Sequence, residues 1–89
     1  MTGTPQEKIK QCIAMLDHIA TDTSVPRNIR RSAEEIRTIL SNDNEEMNMK
    51  VASGISILNS VTNDPNMPLH TRTLVWNLSS QLESIPIDS

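Results

Sequence analysis

Between residues 63 and 76 the chain runs NDPNMPLHTRTLVW, which sets an acid (Asp64), a histidine (His70), an arginine (Arg72) and the sole aromatic side chain (Trp76) within fourteen positions. Imidazole and carboxylate are the ingredients of acid–base and metal chemistry, and His18, His70, Asp22 and Asp64 together have the donor types of a zinc or iron site. Ligand spacing such as H-E-x-x-H is missing, and Cys12 is the single cysteine, so no Cys/His cluster of zinc type can be written. Serines and threonines surround both histidines, but no nucleophile elbow of the G-x-S-x-G kind appears. The acidic loop SNDNEE (41–46) lacks the D-x-[DN]-x-[DN]-G spacing and the glutamate at position twelve that a calcium loop needs. The expectation is a protein that is not an enzyme, with no metal and no cofactor.

A second chemistry-bearing group is basic. Arg27, Arg30, Arg31 and Arg37 are half of the eight basic residues and fall within eleven positions. Such a cluster can grip phosphate, but Glu34 and Glu35 follow Arg30 and Arg31 at i, i+4, where pairing would cancel much of the field. No aromatic residue interleaves the arginines for base stacking, and the formal net charge is −3, opposite to what displaces counterions from phosphates. Association with RNA or the ribosome is therefore the alternative expectation, behind a protein-interaction role.

The scaffold that must position these residues is small. Eighty-nine residues make one domain, taken as 1–89, and a chain of this size buries a modest share of its unfolded surface. A lone cysteine excludes an internal disulfide, so stability must come from helix packing or from a partner subunit. No run approaches the roughly 18 apolar residues of a membrane span and no leader is visible, which points to a cytoplasmic protein.

Residues 8–41 align without gaps on residues 50–83 at a constant shift of forty-two, matching Lys8 with Lys50, Leu16 with Leu58, Asp22 with Asp64, Pro26 with Pro68, Arg30 with Arg72 and Leu40 with Leu82. Apolar residues within each unit recur at helical spacing, as in Ile9, Cys12, Ile13, Leu16 and Ile19. Helices are expected at about 5–21, 26–41, 45–63 and 68–84, giving hairpin repeats at about 5–41 and 45–85. The fold expected is all-α: a four-helix bundle of two repeated antiparallel hairpins, with a two-unit solenoid fragment as the alternative. Thr4-Pro5-Gln6-Glu7 has the form of a capping box, and Asp43 with Glu46 offers the same to the third helix. Gly54, inside the third helix, suggests close approach of a neighbouring backbone.

In this frame Asp22, Pro26, Arg30 and Asp64, Pro68, Arg72 are turn hardware. Each proline opens a helix, and each aspartate caps the connection and is near enough to bond the arginine one turn on. Both turns should share one end of the bundle. His70 and Trp76 have no counterpart, standing opposite Asn28 and Glu34, so they join Arg27 and Arg31 as candidate partner-binding residues. Met15, Ile39 and Ile57 widen the apolar stripes and mark a second apolar face, either deeper packing or a homodimer interface.

The segment DTSVPRNIRRSAEEI (22–36), together with NDPNMPLHTRTLVW, resembles the small archaeal uncharacterised protein family 0147 over nearly the full length. That resemblance implies an archaeal, helical, cytoplasmic protein without assigned catalytic or binding residues. Each hairpin, with its linker aspartate, its helix-opening proline and Ile29, Arg30, Arg31 and Ala33, also resembles the unit of HEAT-like repeats. Those repeats are scaffolds for protein interaction, and two units imply closure into a bundle or assembly.

Overall fold

The computed structural model describes residues 4–85, so both ends of the expected 1–89 domain lie outside the described residues. Four helices follow in order: α1 (Pro5–Thr21), α2 (Arg27–Leu40), α3 (Met47–Thr62) and α4 (Leu69–Glu83). Each falls within two residues of its expected bounds.

Local chemistry explains where they start. At α1 the Thr4 hydroxyl accepts from the Glu7 backbone N–H at 3.2 Å, and the Glu7 carboxylate accepts from the Thr4 N–H at 3.1 Å, with Pro5 at the first turn. Pro26 and Pro68 open α2 and α4 from the cap position, one residue before the helix, where ψ of 149° and 153° keeps them extended. Their carbonyls accept the first helical bonds, from Arg30 at 3.0 Å and Arg72 at 2.9 Å. The expected Asp43–Glu46 capping box at α3 is not formed. The extended cap residue is Glu46 itself, with no side-chain cap bond, which leaves Asp43 three residues upstream of the helix. Asn42 organises that loop, its side-chain oxygen accepting from the Asn44 N–H at 3.0 Å.

The helices pack compactly around one core. Each of α1 and α3 borders both α2 and α4, while no Cα of α1 comes within 8 Å of α3, nor any of α2 within 8 Å of α4. The layer between them is aliphatic: Leu16, Ile36, Leu40, Leu58, Leu78 and Leu82 are all within 2% of fully buried. Val25 and Met67, each just before a proline, close one end of this core, and Ile85 belongs to it as well. Met15 and Ile57 are half-buried against it, and Ile39 is also half-buried. Gly54 meets side chains and not a backbone: a Cβ there would lie 3.4 Å from both Ile36 and Leu82. No helix among the described residues is long and apolar enough to cross a membrane.

Candidate functional site

The two proline turns do meet at one end, through bonds between the halves of the chain. Asp22 spends one carboxylate oxygen on its own turn, accepting from the Ser24 N–H at 2.9 Å and the Ser24 hydroxyl at 2.7 Å. Asp64 does likewise with the Asn66 N–H at 2.9 Å. The remaining oxygens cross over. Asp22 bonds His70 Nε2 at 2.8 Å, and Asp64 accepts from the Asn28 side-chain amide at 2.8 Å. Asn28 and His70 are themselves forty-two residues apart, so the crossing is reciprocal.

With their side-chain oxygens so used, the aspartate carboxylates do not bond the arginines, and the expected Asp–Arg contact is formed only by the second pair, through the Asp64 main chain. Arg72 instead donates to the carbonyl of Thr62, the last residue of α3, at 3.2 Å and to that of Asp64 in the turn beyond it at 3.3 Å. Arg30 makes no equivalent bond, and its Nε is buried without a partner.

Electrostatics follow these contacts. The Ser24 hydroxyl, then His70 and the Ser24 N–H, hold the Asp22 carboxyl down at about 2. Asp64 is also held below the ordinary carboxylate range, by the Asn28 amide, the Asn66 N–H and the Arg72 charge. His70 keeps 57% of its side chain exposed and Asp22 33%, so this is a solvated contact that joins the two turns. No group of three or more His, Cys, Asp or Glu comes together among the described residues. His18 is exposed in the last turn of α1. Burial pushes the Cys12 thiol up to about 11, so it stays protonated and unreactive at neutral pH.

The opposite end carries a second reciprocal pair. Lys8 on α1 donates to the Ser84 hydroxyl at 2.9 Å and the Ser84 carbonyl at 3.3 Å, just past α4. Lys50 on α3 reaches the Leu40 carbonyl at the end of α2 at 3.4 Å. A signal for this was present in the sequence. Both lysines lie in the first turn of their own helix, the wrong end for a cation, and each serves the carbonyl end of a helix from the other half.

The basic helix is less neutralised than expected. Among the described residues the arginine–carboxylate pair is Arg37 with Asp17. Glu34 and Glu35 therefore do not pair with Arg30 and Arg31, and Arg27 and Arg31 stand exposed with no carboxylate within 4 Å among the described residues.

On α4 two large apolar side chains face outward. Trp76 is 75% exposed and Leu69, which the sequence reading passed over, 80%. Their spacing of seven places both on one helical stripe. Beside Trp76 a groove of about 450 Å³ runs between α3 and α4, lined by Asn59, Thr62, Arg72, Val75, Ser79, Ser80 and Glu83.

Known proteins of the same kind are archaeal. The model of the Uncharacterised protein family (UPF0147) matches residues 1–85. A UPF0147 protein of Methanosarcina acetivorans is 62% identical over 82 residues, covering 92% of this chain and 84% of that one. One from Archaeoglobus fulgidus is 41% identical over 88 residues, covering 99% and 100%. Two crystal structures share the fold. The unknown function protein MMP1188 superposes with a TM-score of 0.90 at 40% identity, covering 98% of this chain and 99% of that one. A UPF0147 protein from Thermoplasma acidophilum gives 0.86 at 33%, covering 91% and 95%.

Proposed function

Because the chain belongs to the uncharacterised protein family UPF0147, whose description names no reaction, we propose that it is a non-enzymatic interaction module of the cytoplasm that self-associates. The observation that carries this reading is the exposed pair Trp76 and Leu69 beside a groove on α4. A protein with one aromatic residue holds it in water, where it is disfavoured unless a partner covers it, and tryptophan is enriched among the residues that dominate interfaces. The reciprocal contacts at both ends support reading the halves as two equivalent antiparallel hairpins. Closed on each other as a four-helix bundle, they form a rigid base for the α4 face in place of an open HEAT-like stack.

Sedimentation velocity of the full chain over a range of concentrations tests this reading. A mass above the monomer is expected at high concentration, falling on dilution. A strict monomer at every concentration would remove self-association.

A second reading, contact with RNA through Arg27 and Arg31, is favoured by the absence, among the described residues, of carboxylates paired with them. Reversing both charges is then expected to abolish a salt-sensitive retention on RNA, and unchanged retention would sink it.

A further inference from the structure

Arg72, Trp76, Ser79 and Glu83 all line the α4 groove, and their spacings are four, three and four. That series is the same in both directions. Reversing the helix maps Arg72 onto Glu83 and Trp76 onto Ser79, so a cation meets an anion and the largest side chain meets a small one. We propose that this face is the interface with a second copy of the chain, the two α4 helices lying antiparallel about a twofold axis that passes between Asn77 and Leu78. Each Trp76 then seats in the groove over Ser79 and Ser80 of the second copy, and each Arg72 faces the second copy's Glu83. The proposal rests on the self-association reading above and specifies its surface and register.

Only an antiparallel arrangement satisfies both matches at once. A parallel pair would set Arg72 against Arg72 and Trp76 against Trp76. A twofold interface must be complementary to itself, and here one axis position gives both the charge and the size complement. The charges are held ready for it. The guanidinium of Arg72 is tethered by its bonds to the Thr62 and Asp64 carbonyls, and Glu83 is exposed with no cation within 4 Å among the described residues. Leu69, one heptad before Trp76 and more exposed still, lengthens the apolar stripe. Affinity comes mainly from desolvating Trp76, while the exposed ion pairs set direction and register. Two exposed apolar side chains with solvated ion pairs fit weak association of about micromolar strength.

Trp76 is the only tryptophan, so its fluorescence reports on this surface directly. The full chain is diluted from about 200 to about 1 micromolar, with emission and sedimentation equilibrium followed together. The emission maximum is expected to move to longer wavelength in step with dissociation. Glu83→Arg, a change at an exposed helix end where a cation suits the dipole, is expected to weaken the dimer about tenfold by opposing two pairs of like charge. Ser79→Arg, which fills the seat of the indole, is expected to weaken it further, and the double swap Arg72→Glu with Glu83→Arg to restore it. Circular dichroism checks that each variant is folded. If the swap is not, Glu83→Arg and the emission decide. A dimer that dissociates without any change in Trp76 emission, or a folded Glu83→Arg variant that dimerises as tightly as the parent, overturns the interface and leaves self-association standing. A monomer at all concentrations overturns both.

Discussion

Lys8 and Lys50 occupy matching positions, yet Lys8 is half-exposed with two bonds while Lys50 is only 7% exposed with a single long one. Other matched positions differ as well. Gly54 stands where Cys12 fills the core, and Thr71, fully buried with its hydroxyl unpartnered, stands where Ile29 packs. On the outside, Leu69 and Trp76 replace the charged Arg27 and Glu34. Contacts that join the halves are kept in pairs, whereas α4 exposes two apolar side chains where α2 has charged ones and buries a threonine where α2 has an isoleucine. The outer face of α2 is charged where that of α4 carries Leu69 and Trp76, and it is on this difference that the proposed self-association rests.

The largest way to break the comparison is in the shared core. Leu16→Ala and Leu58→Ala are each expected to cost about 2–5 kcal/mol, and each variant should unfold in a single urea transition. Two separate transitions would mean that the halves fold independently. Next come the lysines. Lys50→Ala removes a buried stem as well as a helix-end cation and is expected to lose about 1–2 kcal/mol, against less than about 1 kcal/mol for Lys8→Ala. Equal losses by chemical denaturation would erase the asymmetry.

Smaller effects come from the mismatched core pair. Thr71→Val keeps the shape and removes an unsatisfied hydroxyl, so it should raise stability by about 1 kcal/mol. Ile29→Val at the matching site should lower it by about 0.5–1.5 kcal/mol. Thermal melts that show a loss for both would mean that the Thr71 hydroxyl has a partner.

The smallest effect belongs to the turn end. The Asp22 pKa is depressed from 3.8 to about 2, so its contribution is complete above the unfolded value and is lost as pH falls between about 4 and about 2. Stability measured against pH should therefore decline in that window, and Asp22→Asn should flatten the decline. An unchanged slope would show that the Ser24 and His70 contacts do not persist in solution.

Much of this could be read in advance for a local reason. Thr4 and Glu7 cap a helix three residues apart, and Pro26 and Pro68 constrain their immediate neighbours, so short-range rules placed four helices within two residues of their bounds. The Asp–Arg expectation held only through the Asp64 main chain, because the choice of carboxylate partner lay between groups at different sequence distances. Arg72 is eight positions from Asp64, but the Asn28 amide, thirty-six positions away, reaches the carboxylate first once the halves close. Leu69 was legible as one heptad from Trp76 and was overlooked because it follows a proline at the start of a helix.

The chain by itself determined its helices, its aliphatic seams and the forty-two-residue correspondence, since each depends on residues a few positions apart or on direct alignment. Tertiary structure alone decided that α1 and α3 each border α2 and α4, that Asp22 finds His70 and Lys50 finds the end of α2, and that Trp76 faces outward. A helix of period 3.6 shows which residues share a stripe, but only the packing of four such stripes decides which of them is left for water or for a partner.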